Sequence, residues 1–586
     1  MKKFIIGYLA FCTNHGQARC QSKMTSKNNS GCINHPDMAK DSRAGFSQEP
    51  MDTSAPHQKH NESFRPEAFD SWQKPGAEAQ SEGTWGEKLK REPECHMQLD
   101  ILCANMNHTV LIDTSEFSHG RIVPYKGKHV WDSKHVKLPP QYPRNSKESR
   151  WAATQRALQS LMRHRGVSVG DVEGAIKTYN EAHKDWNFDA LRAYAQESKH
   201  EISFSHVIFK MAKLALRLPE LIQHPIPLLR QNSNHAITLS QEQISCLLAN
   251  AFFCTFPHRN ANHPGSEYSN FPTINFSRLF AERSPRTFQK LRALFHYFNT
   301  VTEEDTKPNG LVTFERISIS SAEIPEWNKR TENITNLRVY EKGFIEKEGR
   351  GMLQVDFAAD MIGGGVLGRG LVQEEIRFLQ CPELIVARLF TERLSDNECL
   401  KITGVQTYSN TTGYSDTFVW HSPHIDNTKS DGWRRRFCQI VAIDATNFKD
   451  PTLQFTEPRI KRELVKAYVG FRKDPNVHID YTPAIATGNW GCGAFKGDPM
   501  LKALIQMMAA AVAQRDLAYF TFNNKKQAEE LQRMHELLKS HKMTVGKLYK
   551  LLQDYCEYVR HHHHHDRQRL KNVFEYIRES FHSSNL

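Results

Sequence analysis

A three-layer α/β domain behind an all-helical block is the fold this sequence predicts, and three observations lead there. From residue 312 onward, short and largely apolar runs alternate with helical patterns, as helix-covered strands require. Between residues 151 and 253 apolar side chains recur at helical spacing, punctuated by Pro219, Pro225 and Pro227. From Cys20 to Leu99 neither period is present, and Ser, Asn, Gln, Glu, Pro and Lys dominate. That composition predicts a disordered N-terminal region.

Taken in order, residues 1–107 are expected to be disordered, and Lys88-Leu89-Lys90-Arg91 to be an exposed basic patch. Order begins near 108–112. Helices are expected at 151–164, 172–183, 188–197, 206–218 and 240–253, the last capped by Ser240 with Glu242 and Gln243 in its first turn. This helical accessory block occupies 108–300. Strands follow at 312–318, 336–341, 353–358, 400–408, 439–445 and 517–522. Between them stand helices at 382–394, 458–471 and 499–515, so that residues 301–586 form the α/β domain with a helical tail. His561 to His565 are read as a solvated low-complexity tract, without further ligands at metal-binding spacing.

The chain has 586 residues and a formal charge of +12. Its first 112 residues hold 13 Lys and Arg against 13 Asp and Glu, so the whole excess lies in the part expected to fold. A basic folded region suggests an anionic partner. The 12 cysteines include no CxxC pair, which fits reduced thiols better than a disulfide framework or zinc site. The start, with Lys2-Lys3 and an apolar run to Cys12, faintly resembles a secretory leader. That run is short and the cysteines are irregularly spaced, so export is not expected.

Residues 363–375 read GGGVLGRGLVQEE: a triple glycine, a spacer, then Gln373, Glu374 and Glu375. Seven residues before the first glycine, Asp356 sits in the mostly apolar run 353–357. Lacking Cβ atoms, Gly363, Gly364 and Gly365 can bring backbone N–H groups onto a phosphate. Carboxylates beside such a cradle suit acid catalysis on a sugar carried by that phosphate. No HRD or DFG triplet follows, which argues against a kinase, and no Gly-Lys-Ser/Thr, which argues against a P-loop. A second glycine-rich segment, 487–495 (TGNWGCGAF), precedes a helix expected to start at Pro499 with Asp498 as N-cap. Donors ahead of a helix N-terminus favour anions. Two such loops face to face would hold a diphosphate; two unrelated turns are the alternative.

The QEE triplet, Thr412-Gly413-Tyr414, GNWGCGAF at 488–495 and YFTF at 519–522 stand in the order found in poly(ADP-ribose) glycohydrolases. Residues 240–257 also resemble that family's helical region, and the likeness spans about residues 109–541. The resemblance implies a macrodomain-like α/β/α core with a mixed sheet, and hydrolysis of ribose–ribose O-glycosidic bonds from the free end of the polymer. By position, Glu375 resembles the catalytic acid, and Glu374 and Asp356 the carboxylates that hold ribose hydroxyls. Burial and a neighbouring like charge would raise the pKa of one glutamate. Phe522 and Tyr414 resemble the aromatics against adenosine, and Glu346, after Ile345, the partner of the adenine amine. Gln373 matches another ligand contact, while Asn489, Gly491, Cys492, Gly493, Ala494 and Phe495 fall on the diphosphate side.

The resemblance further implies no cofactor and no metal, and as partner poly(ADP-ribose) on ADP-ribosylated proteins. It implies no sequence-specific nucleic acid, no membrane, and a monomer. The setting is intracellular, nucleus or cytoplasm with a mitochondrial form also open, in ADP-ribosylation reversal during the DNA damage response. One departure stands out: the family reads Asp-Phe-Ala-Asn where this chain has Asp356-Phe357-Ala358-Ala359-Asp360. Ala359 cannot supply the amide beside the terminal ribose, and Asp360 would replace it only after a backbone shift. A binding module that has lost its chemistry is the alternative. From sequence alone, a chain beginning near Met106 is expected to keep its melting midpoint, as thermal melts would check.

Overall fold

The computed structural model describes residues 88–92, 102–143, 148–260, 263–474, 477–562 and 570–583. The leader-like start and most of the low-complexity region lie outside these residues. In chain order the strands are β1 (His108–Val110), β2 (His235–Ser240), β3 (Leu311–Ser318), β4 (Leu337–Tyr340), β5 (Leu353–Ala358) and β6 (Glu398–Gly404). They continue with β7 (Ser409–Thr412), β8 (Val419–Pro423), β9 (Arg436–Asp444), β10 (Ile485–Gly488) and β11 (Leu517–Phe520). β7 and β8 form a separate ribbon; the other nine form one mixed sheet in the order β1-β2-β3-β6-β9-β5-β10-β11-β4.

From β9 to β4 the strands run parallel, whereas β2–β3, β3–β6 and β6–β9 are antiparallel. The C-terminal ends of the five parallel strands therefore share one edge, where open α/β sheets carry their ligands. Strand alternation divides β5 between the two faces. Leu353 and Val355 enter a core with the helices Glu457–Phe471 and Pro499–Val512. Ala358, two residues past Asp356, enters the opposite core with Ile244, Leu294 and Phe378 from the helices Gln241–Phe252, Pro285–Thr302 and Gln373–Gln380. Helix, sheet and helix make the three expected layers.

Helix starts follow the sequence signals. Ser240 Oγ accepts from Gln243 N at 3.1 Å while Gln243 Oε1 accepts from Ser240 N at 2.9 Å, a reciprocal cap. Asp498 caps its helix through Leu501 N at 2.8 Å, ahead of Pro499. The expected helix at 382–394 is instead a 3₁₀ turn, Pro382–Val386, running into the short helix Ala387–Phe390. Strand 400–408 ends early at Gly404, whose φ is +106° and whose Cβ would lie 2.8 Å from that of Arg435. Only a glycine takes that bend without strain.

Two differences matter more. The stretch 108–300 expected to be all-helical contributes β1 and β2 to the sheet, and its helices share one core with β3 and β6 through Phe314 and Ile402. Strands of three and six residues are too short to declare a period. The basic cluster is also not a free patch. Leu89 is buried with Ile345, Met352, Ala486 and Phe520, and Lys90 O accepts from Ala484 N at 3.0 Å. Arg91 donates to Glu348 O at 2.6 Å and Arg350 O at 2.8 Å. Residues 88–92 thus hold the loop that carries Ile345 and Glu346. Of the histidine tract, His561 and His562 end the helix Val545–His562, and the other three lie outside the described residues.

Truncation to Met106 is therefore expected to lower the melting midpoint, against the reading from sequence. Leu89→Ala in the full chain should cost about 2–5 kcal/mol, the range for a buried leucine, measurable by urea unfolding. Unchanged stability in both would mean that Leu89 contributes nothing to the core.

Candidate active site

Gln373 fixes the geometry of the site. Its Oε1 accepts from Phe357 N at 2.8 Å and its Nε2 donates to Val355 O at 3.2 Å. Both ends of the amide thus extend the ladder of β5, and the first turn of the helix Gln373–Gln380 is pinned to the end of that strand. Glu374 and Glu375, next in sequence, are thereby brought to Asp356 on the same face. All three carboxyls are buried, Asp356 to 1%, Glu374 to 2% and Glu375 to 5% exposure.

The glycine loop wraps these acids. Gly363 N and Ala359 N donate to the two oxygens of Glu374 at 2.6 and 2.8 Å. Gly365 N and Val372 N donate to the two oxygens of Glu375, each at 2.8 Å. A Cβ on Gly364 would lie 2.5 Å from Glu375 Oε1 and 2.7 Å from Glu374 Oε2, and one on Gly370 would also collide with Glu375. The glycines are required because the loop closes on two carboxylates. The expected phosphate cradle is in this structure a carboxylate cradle: Gly363 and Gly365 spend their N–H groups on the glutamates and Gly364 on Met361 O at 3.1 Å.

Asp356 differs from its neighbours. Neither of its oxygens has a hydrogen-bond partner among the described residues. Burial, and secondarily the charge of Glu375, pushes its carboxyl up to about 8, with Arg377 opposing. Burial, then Asp356 and Glu375, also raises Glu374 well above the usual carboxylate range, against the N–H bonds from Ala359 and Gly363. The raised group anticipated from sequence is thus Glu374, together with Asp356. Burial and like charge thus favour the protonated forms of Asp356 and Glu374, as expected for close carboxyls in low dielectric.

Two cations from outside the motif stand behind the loop. Lys290 Nζ, from the helix Pro285–Thr302, donates to Gly365 O at 3.0 Å, Val366 O at 3.2 Å and Gly368 O at 2.8 Å, and also to Gly370 O. Burial draws Lys290 down to about 7, while Glu375 holds it up. Arg388 donates to Ile362 O at 2.8 Å, Gly364 O at 3.1 Å and Thr273 O at 2.7 Å. Sequence reasoning missed both. The available signal was a lone cation on an apolar stripe: Lys290 precedes Leu294 and Phe298 at helical spacing, and Arg388 interrupts 384–390.

The remaining expected residues gather at the same edge of the sheet. Ile345 is buried after β4, and Glu346 beside it accepts from Gln380 Nε2 at 3.4 Å. Phe522, just past β11, has φ +53° followed by +67° at Asn523, and remains 37% exposed. A left-handed phenylalanine costs on the order of 1–3 kcal/mol. Its ring lies over the end of β10, where a Cβ on Gly488 would be 2.8 Å away. Tyr414, exposed on the loop after β7, meets the backbone of Gln373.

Beyond β10, the side chain of Asn489 is committed to Tyr519 at 3.0 Å and Gln527 at 2.6 Å. Gly491 has φ +74° and lies against Lys502, whose Nζ sits 3.8 Å from the Trp490 ring centre and pairs with buried Glu463. Gly493 and Ala494 are exposed, and their N–H groups and that of Phe495 find no acceptor among the described residues. Burial pushes the Cys492 thiol up to about 12, so it is not a nucleophile. Asp360 does not replace the missing amide: it pairs with Arg393 and accepts from Met361 N at 2.8 Å. Among the described residues no His, Cys, Asp or Glu group has metal-site geometry.

Family models match twice. The helical domain of poly(ADP-ribose) glycohydrolase matches residues 195–316, and the macro domain fold of the same enzyme matches 324–529. Poly(ADP-ribose) glycohydrolase 1 of Arabidopsis thaliana is 32% identical over 457 residues, covering 63% of this chain and 80% of the relative. The probable poly(ADP-ribose) glycohydrolase 2 of Arabidopsis thaliana is 30% identical over 60% of this chain and 78% of its own length. Poly(ADP-ribose) glycohydrolase 1 of Caenorhabditis elegans is 32% identical over 63% of this chain and 48% of its own length.

The raised carboxyl of Asp356 fixes the sign of a stability effect. The folded chain keeps a proton that the unfolded chain releases above its ordinary value of 3.8. Stability is then lost as pH rises from that value through about 8. Asp356→Asn is expected to melt above the parent by a margin that widens from acidic to mildly alkaline pH. A pH slope retained in the variant would exclude Asp356 as its source.

Proposed function

The chain belongs to the poly(ADP-ribose) glycohydrolase family, and with that as premise we propose that it removes ADP-ribose units from the free end of poly(ADP-ribose). It is a glycosyl hydrolase. The observation that carries the residue assignments is the buried carboxyl cluster Asp356–Glu374–Glu375, closed by a glycine loop at the C-terminal edge of the parallel strands. Two of its members, Asp356 and Glu374, favour their protonated forms beside Glu375.

In this reading Glu375 protonates the glycosidic oxygen and then activates water. Neither Asp356 oxygen has a partner among the described residues, and each Glu374 oxygen has a lone pair beyond its N–H bond, so both side chains hydrogen-bond ribose hydroxyls, Asp356 donating through its proton and accepting through its other oxygen. Adjacent glutamates do not flank a bond as a conventional glycosidase pair does, so acid and ribose-holder are separate roles. The exposed N–H groups from Gly493 to Phe495 receive the diphosphate, and Phe522 stacks on adenine beside Ile345 and Glu346. The diphosphate offsets charge developing on the ribose in the transition state.

Ala359 bears on catalysis through its backbone. Its N–H holds Glu374 at 2.8 Å, a bond that survives loss of the family's asparagine side chain. This supports turnover over a reader that binds without chemistry. The substrates are polymers on ADP-ribosylated proteins, and the chain acts as an intracellular monomer, in nucleus or cytoplasm, in reversing ADP-ribosylation after DNA damage.

Glu375→Gln should lower kcat on polymer by about 10²–10⁴, the contribution of a positioned general acid, with ADP-ribose affinity retained. Full activity in this variant would remove Glu375 from the chemistry. Phe522→Ala should weaken ADP-ribose binding by about 1–3 kcal/mol in calorimetry, the value of one base stack. Equal affinity would place adenine elsewhere.

A further inference from the structure

Beside the glycine loop, on the side of the helical block, lies a second cleft of about 320 Å³, within the range of small-ligand sites. Its lining includes Met361, Gly364, Gly365, Arg278, Arg369 and Arg388, and no acidic residue. Gly365 donates directly to Glu375, so the cleft begins one hydrogen bond from the proposed acid. Arg388 is buried and committed to backbone carbonyls. Arg278 and Arg369 are exposed at the mouth. Arg369 pairs with Glu282 at 2.6 Å, an exposed and therefore exchangeable ion pair, whereas Arg278 has no acidic partner among the described residues.

The contrast with the cavity at the opposite end of the sheet is instructive. That space, about 340 Å³, also holds cations, but Lys401 pairs with Glu315 at 2.8 Å and Arg435 with Asp431 at 2.9 Å. Its charge is satisfied internally. Of these two cavities, the cleft beside the glycine loop is the one lined by guanidinium groups without an acidic residue.

We propose that this cleft is a second phosphate subsite, which takes the diphosphate of the polymer unit on the leaving side of the scissile bond, between Arg278 and Arg369. The inference rests on the functional reading above. Once Glu375 protonates the glycosidic oxygen, the departing group is the ribose of the next unit; in this proposal its strand rounds the loop at Gly364 and Gly365, which line the cleft. A diphosphate carried along that path meets two arginines, whose planar donors suit phosphate oxygens.

The test is hydrolysis of a two-unit ADP-ribose dimer and of long polymer by the full chain bearing Arg278→Ala, Arg369→Ala or both. Calorimetry with monomeric ADP-ribose and thermal melts are run in parallel. The double variant is expected to lose about tenfold in kcat/KM on the dimer already, as for loss of charge-assisted hydrogen bonds worth about 1.4 kcal/mol. The gap should narrow at high salt, with ADP-ribose affinity and melting midpoint unchanged. Parental kinetics on the dimer would overturn the subsite, and so would a loss confined to long polymer, which would mean diffuse capture by the basic surface. A parent that neither binds ADP-ribose nor cleaves the dimer would overturn the primary reading, and the subsite with it; intact binding with unchanged dimer kinetics overturns the subsite alone.

Discussion

Asp356, Glu374 and Glu375 are buried against one another, and that burial of like charge is the constraint around which the rest of the site is built. Each carboxyl removed from water costs several kcal/mol unless it is neutralised or given donors. The structure uses both remedies. Four backbone N–H groups converge on the two glutamates, while Asp356, with no donor, holds its proton. The loop that delivers those donors must pass so close to the carboxylates that residues with a Cβ are excluded at Gly364 and Gly370.

A loop pulled inward in this way leaves its carbonyls facing the other side, and they too are buried. Lys290 and Arg388 collect six of them. The acids in front and the cations behind compensate one another across a single layer of backbone. Lys290 comes from the helical block and Arg388 from the segment after β5, so the site belongs to neither domain alone. The common core of helices and sheet, from Ile244 to Ile402, makes that dependence structural as well as electrostatic. The helical part thus closes the glycine loop from behind.

The opposite end of the ligand path follows different physics. At the Gly493–Phe495 tip, backbone donors without an acceptor among the described residues are presented, with Lys502 lying against Gly491 and Trp490. Phe522 is held out of the core by two successive left-handed residues. Strain of that kind persists only where neighbouring structure fixes it, and the strand ends of β10 and β11 do so. In the proposed reading this backbone grips the nucleotide and the carboxyl cluster performs the chemistry.

Elements with a long period were legible in the sequence: the helices ending in Phe252, Phe471 and Val512, and the buried strands β3, β5 and β9, follow local patterning and caps. So was the identity of the carboxyls, because QEE and the triple glycine are contiguous. What the glycines hold was not legible, since a run of flexible backbone accommodates phosphate and carboxylate equally well, and only the packing of the helix Gln373–Gln380 on β5 decides which arrives. Leu89 packs against residues as distant in sequence as Phe520, and Lys290 and Arg388 bond carbonyls 75 and 26 residues away, beyond any local period, and β1 and β2 are too short to show one. The chain determined its elements and its reactive groups by itself. Which cations stand behind which carbonyls, and which proton stays on which acid, depends on distances and burial that exist only after the sheet has closed its two cores.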